Sequence, residues 1–107
     1  MIKRVFAEYL IIGACNHGLL DFLKFLVQNK DNISYYSYYK YDDKLSKLQD
    51  EGIKYATIHG NFNIVKYLIE DCKVSVDLND SYALRWSCYY GHLDIVKFLV
   101  IISFLDN

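Results

Sequence analysis

Apolar residues return along this chain in blocks spaced for helices, and each block follows a glycine. After Gly18 come Leu20, Phe22, Leu23, Phe25 and Leu26; after Gly60 come Phe62, Ile64, Val65, Tyr67 and Leu68; after Gly91 come Leu93, Ile95, Val96, Phe98 and Leu99. In each block a lysine (Lys24, Lys66 and Lys97) interrupts the apolar run at the same offset from the glycine. This spacing gathers the apolar side chains on one helix face and leaves the lysine on the other. Asp21 stands three residues before Lys24, and Asp94 three before Lys97. Such i,i+3 pairs are expected on a solvated face, where each is worth about 0.2–0.5 kcal/mol.

The segments before the glycines are helical in pattern as well, and they carry small residues at fixed places: Ala14-Cys15, Ala56-Thr57 and Ser87-Cys88. Small side chains at matching positions let neighbouring helices approach closely. The same text therefore occurs three times, its glycines 42 and 31 residues apart. Isolated helices of this length are marginal in water, so the pairs must stack to persist.

The third copy, Tyr82-Ala83-Leu84-Arg85-Trp86-Ser87-Cys88-Tyr89-Tyr90-Gly91-His92-Leu93-Asp94-Ile95-Val96-Lys97-Phe98-Leu99, resembles the ankyrin repeat. In that family a T-P-L-H-x-A-like opening leads into one helix, and Gly-His begins a second. More narrowly, Tyr-Ala-Leu-Arg-Trp followed by Gly-His-Leu-Asp-Ile-Val-Lys is similar to the ankyrin arrays of amoeba-infecting giant DNA viruses (mimivirus-like). The resemblance covers most of residues 9–100. It implies an all-α fold: a short ankyrin-repeat solenoid of about three helix-turn-helix units, at roughly 9–30, 51–72 and 82–105, within a single domain spanning 1–107. The extra length at 31–50 reads as an enlarged first inter-repeat connection, since insertions in stacked repeats map to loops. Its first part is a tyrosine cluster, Tyr35 to Tyr41, and Asp42 to Leu48 reads as a capped helix start that lengthens the next helix upstream.

The chain departs from the family pattern in two places. It has no proline, so Leu10, Gly52 and Ala83 stand where proline would open the first helix of each unit; helices form without it. Cys72 stands near the place of the glycine that ends the second helix, which predicts a less regular connection there. The tail, Phe98 to Leu105, is apolar nearly all round. Either it folds back onto the third pair, or it leaves an apolar edge.

Composition excludes several classes of function. A formal net charge of −1, with Arg4 and Arg85 the only arginines, supplies no basic stripe for nucleic acid. Three scattered cysteines do not make a secreted disulfide framework, which places the chain in an intracellular, reducing compartment, the host cytoplasm if the viral resemblance holds. Glu8 interrupts the apolar run at the N-terminus, so no signal peptide is expected. No window reaches the ~18 apolar residues of a membrane span. Cys15 with His17, and Cys88 with His92, differ in spacing and belong to non-adjacent repeats, so no metal site is expected. Cys15 and Cys88 instead occupy the place of a small buried residue. His92 follows its glycine as the family's structural histidine does. Asp42, Asp43, Asp50 and Glu51 are expected to flank helix starts, where they complement the macrodipole. No nucleophile, phosphate loop or cofactor motif is present, and neither an enzyme nor a bound cofactor is expected.

The resemblance implies protein–protein binding by a scaffold whose concave face carries the two residues before each glycine: Asn16 and His17, Ile58 and His59, Tyr89 and Tyr90. Tyrosine supplies a rigid apolar body with a polar tip, a chemistry that interfaces favour. The expected partner is a host or viral protein. Two other readings are a decayed or truncated member of an expanded repeat family, and a peripheral membrane or self-associating element built on the apolar C-terminal tail.

Overall fold

The computed structural model describes residues 3–29 and 44–105. Six helices form there: α1 (Lys3–His17), α2 (Leu20–Gln28), α3 (Lys44–Ile58), α4 (Phe62–Glu70), α5 (Leu78–Tyr89) and α6 (Leu93–Leu105). No strand occurs among the described residues. Each odd helix folds back on the even one that follows it, and α1, α3 and α5 stack side by side in one row. The second row is joined by ring contacts. Phe62 of α4 meets Phe98 of α6 edge-on at 5.5 Å between centroids, and the Lys24 ammonium of α2 lies 5.6 Å over the Tyr67 ring of α4. Lys24 thus reaches across to the next helix pair, and the Asp94 carboxylate, expected to face Lys97, accepts a hydrogen bond from the Ile95 N–H at 2.8 Å.

The three glycine turns are built alike. Gly18, Gly60 and Gly91 have φ of +70°, +71° and +76°, a left-handed conformation that costs an L-residue with a Cβ about 1–2 kcal/mol. The residue after each glycine donates its N–H five residues back, Leu19 to Ala14 at 2.8 Å, Asn61 to Ala56 at 2.8 Å and His92 to Ser87 at 2.9 Å. That is the Schellman closure, which satisfies carbonyls the helix end leaves over. A second bond, from Leu20, Phe62 and Leu93 N–H to the glycine carbonyls, closes an inverse γ-turn. The next helix starts immediately afterwards.

Helix starts differ from the expectation. Leu10, Gly52 and Ala83 lie well inside α1, α3 and α5. Proline would stop a helix growing upstream, because its ring clashes with the preceding turn and it has no N–H. Without proline the helices run on. Lys44 to Leu48 belong to α3, so the next helix is lengthened upstream as its sequence implies, whereas Asp50 and Glu51 sit within α3 rather than at its start. Asp42, Asp43 and the Tyr35–Tyr41 cluster lie outside the described residues. In α5 the early turn is interrupted at Ser81, which takes φ +59°.

After α4 the connection is irregular, as the missing glycine implies. Lys73 takes φ +62° in its stead, and the chain closes through Cys72 N–H to the Tyr67 carbonyl and Val74 N–H to the Leu68 carbonyl, at 3.2 and 2.9 Å. The tail continues α6 as helix to Leu105, with Ile101, Phe104 and Leu105 exposed, so the apolar edge is the alternative that the structure adopts. The core is one cluster running through all six helices, with Ile11, Leu23, Leu26, Ile53, Ile64, Leu68, Ile95 and Leu99 its largest closed side chains.

Leu68→Ala and Leu99→Ala each delete such a core side chain and are expected to cost ~2–5 kcal/mol in denaturant titrations. Gly91→Ala is expected to cost about 1–2 kcal/mol, from its left-handed backbone alone, since nothing lies within 4 Å of the added Cβ. Gly60→Ala should cost measurably more by the same titration, because its Cβ would sit 2.6 Å from the His92 ring.

Candidate functional site

Each repeat completes the one before it. The Asn61 Nδ2 donates to the carbonyls of Cys15 and Asn16 at the end of α1, at 2.8 and 3.2 Å. One unit later, His92 Nε2 stands 2.9 Å from the Ile58 carbonyl at the end of α3. A carbonyl only accepts, so this ring carries its proton on Nε2. Asn61 and His92 occupy the same place after their glycines. A carboxamide and an imidazole do one job there, capping carbonyls that α1 and α3 cannot satisfy internally. Leu19, at the same place in the first unit, is exposed.

These caps decide where the predicted surface residues go. Asn16 and Ile58 are half-buried, with their backbone carbonyls held by the following repeat, whereas His17, His59, Tyr89 and Tyr90 are exposed. The Oδ1 of Asn16 is buried without a partner. The six candidates therefore lie in three pairs along the C-terminal ends of the stacked helices, but only four of them are open to solvent.

The third pair belongs to a larger feature. Tyr82, Arg85, Trp86, Tyr89 and Tyr90 line a shallow groove of about 480 Å³. Trp86 is its centre: Tyr82 and Tyr89 meet it edge-on at 5.6 and 5.8 Å, Tyr90 stacks on it at 5.7 Å, and Tyr89 meets Tyr90 at 5.0 Å. These residues recur at i, i+3 and i+4 on α5, which places them on one helix face. Ala83 and Ser87, on the other side of α5, are buried. The groove thus opens away from the packed side of the helix, and Tyr89 keeps 77% of its surface accessible. In the second unit Lys54 lies 5.8 Å over the Tyr55 ring, a cation and an aromatic at the places of Arg85 and Trp86. Reading only the residues next to the glycine missed Tyr82, Arg85 and Trp86; their helical spacing was the available signal.

The cysteines divide by place. Cys15 is closed off between α1 and α3, its Sγ against Gly52, and burial foremost, with Cys72 next, pushes its thiol from the usual 9.0 up to about 12. Cys88, at the same place in the third unit, is exposed, so the small-buried-residue reading applies to Cys15 and not to Cys88. Among the described residues no helix packs over Cys88 as α3 packs over Cys15. Among the described residues no three His, Cys, Asp or Glu side chains gather at metal-binding distance, and no helix is long and apolar enough to cross a membrane.

The family profile described as Ankyrin repeats (3 copies) matches residues 10–105. The chain belongs to the ankyrin-repeat family. Among curated proteins it is similar to the putative ankyrin repeat protein R791 of Acanthamoeba polyphaga mimivirus, with 32% identity over 88 residues. The match takes in 81% of this chain and 25% of the relative, so the chain spans about a quarter of that protein's length. No solved structure matches. Ankyrin repeats mediate protein–protein interaction in general and are typically non-catalytic scaffolds. In this ankyrin array the caps hold the stack in register, and the aromatic groove is what the stack displays.

Because the Cys15 thiol ionises near 12 when folded and near 9.0 when unfolded, only the unfolded chain loses that proton between these values. Stability is therefore expected to fall as pH rises through this window. Urea midpoints taken from pH 8 upward should show a shallower decline in Cys15→Ala than in the parent chain. A maleimide at pH 8 should label Cys88 in the folded chain and reach Cys15 only on unfolding.

Proposed function

We propose that this ankyrin array is a non-catalytic binding module that takes a protein partner in the Tyr82–Arg85–Trp86–Tyr89–Tyr90 groove, with His17 and His59 extending the contact along the row. The observation that carries this reading is four clustered aromatic rings on the side of α5 away from its buried residues, with Tyr89 and Tyr90 exposed and Tyr82 and Trp86 half-buried beside them. Aromatic residues and arginine are the side chains most enriched where interfaces concentrate binding energy. Burying them against a partner removes apolar area from water at about 25 cal/mol per Å². The tyrosine hydroxyls and the Arg85 guanidinium supply the polar contacts that orient a partner. The same positions in the other units hold Tyr9, Glu51, Ile12, Lys54, Gly13 and Tyr55, so the aromatic concentration is particular to the third repeat. The partner this reading calls for is an intracellular host or viral protein, met in the host cytoplasm.

Trp86 is the single tryptophan of the chain, so binding reports itself as a change in tryptophan emission. Tyr89→Ala combined with Tyr90→Ala is expected to weaken a captured partner by roughly 2 kcal/mol or more while leaving the thermal melt near that of the parent chain. Quantitative affinity capture from infected cells, comparing the two proteins side by side, measures this. Equal recovery would show that the groove is not the binding surface.

A further inference from the structure

The groove on α5 is small. Its lining is Tyr82, Arg85, Trp86, Tyr89 and Tyr90, against about 20–30 residues a side in a standard interface between folded proteins. Its long axis is set by Tyr82, Trp86 and Tyr90, each four residues after the last, with neighbouring rings 5.6 and 5.7 Å apart. Eight residues of helix rise about 12 Å. A surface of that length takes a short peptide segment of a partner rather than the face of a folded domain.

The chemistry of the lining narrows the segment further. Arg85 is the one charged residue among the lining side chains, so the groove favours a carboxylate and disfavours a cation. Its polar tips are donors: a guanidinium and an indole N–H donate and cannot accept, and each phenol can donate. Among the described residues no hydrogen bond uses the Trp86 indole or the hydroxyls of Tyr82, Tyr89 and Tyr90. A donor-rich aromatic floor is matched by a segment rich in acceptors and poor in donors. Proline supplies that combination, having a carbonyl and no N–H. Proline-rich segments hold the polyproline II form, whose carbonyls make no internal hydrogen bonds and stay available. Their shape is set in advance, so docking on a shallow site costs little ordering entropy. About four residues of polyproline II, at ~3.1 Å each, span the groove. None of the chain's 107 residues is proline, so none of them supplies the segment.

We propose that the groove binds a proline-rich segment in the polyproline II conformation, its pyrrolidine rings on the aromatic side chains and an acidic residue on Arg85. This rests on the groove being the binding surface of the array, and it names the chemistry that the surface takes.

The probe is a blocked hexapeptide of prolines with one central glutamate, titrated into the full chain and followed by Trp86 emission and by calorimetry. Two controls accompany it: a glycine–serine hexapeptide carrying the same glutamate, and the proline peptide with glutamine in place of glutamate. The proline–glutamate peptide is expected to saturate. The glutamine version should bind about 2–5-fold more weakly, and the glycine–serine peptide about tenfold more weakly or worse. Arg85→Gln should erase the difference between the two proline peptides. Tyr89→Ala with Tyr90→Ala should weaken both by about tenfold or more. All three substitutions fall on exposed side chains, so the circular dichroism of each variant is expected to match the parent. The inference is overturned if the proline–glutamate peptide gives no saturable signal, if either control matches it, or if the tyrosine double variant binds it at full strength. A silent peptide beside weakened capture of a cellular partner by that double variant ends this inference and leaves the groove as the binding surface, so the two readings fail separately.

Discussion

A side chain lent by one helix pair to the last carbonyls of the pair before it makes this stack a single body. Helices of 9 residues, such as α2 and α4, do not persist alone in water. Apolar burial supplies the bulk of the drive to stack them, but apolar contact tolerates sliding. The bonds from Asn61 to Cys15 and Asn16 and from His92 to Ile58 do not, because a donor displaced by one residue leaves a half-buried carbonyl unpaired. The left-handed glycines belong to the same device. They turn the chain tightly enough to bring the donor into place, and at Gly60 the missing side chain is the space that the His92 ring occupies.

The parts of this arrangement legible in the sequence are those where a residue type answers to a local geometric demand. Gly18, Gly60 and Gly91 stand at φ above +70° or close to it, a demand that glycine alone meets cheaply. Ala14, Ala56 and Ser87 are closed off because the neighbouring helix comes too near for anything larger. The irregular turn at Lys73 followed from the absence of a glycine. What the sequence concealed depends on surroundings. Cys15 and Cys88 are the same residue at the same place, and only the unit stacked on one of them separates their fates. Asn61 does the work of His92 with a different functional group, so matching by identity passed over it.

The candidate surface was half legible for a related reason. Tyr89 and Tyr90 were found by their place next to the glycine, whereas Tyr82, Arg85 and Trp86 join them through the i, i+3 and i+4 spacing of a helix already legible there, a signal that reading only beside the glycine does not use. The groove itself opens on the side of α5 away from the buried Ala83 and Ser87 and is built of rings with polar tips.

That each cap is delivered from downstream also sets an order in time. As the chain leaves the ribosome, the glycine turn closes α1 locally, but the Cys15 and Asn16 carbonyls stay with water until Asn61 has emerged, and the Ile58 carbonyl waits in turn for His92. A pause in translation just before either donor would leave those carbonyls solvated and the two units not yet locked together.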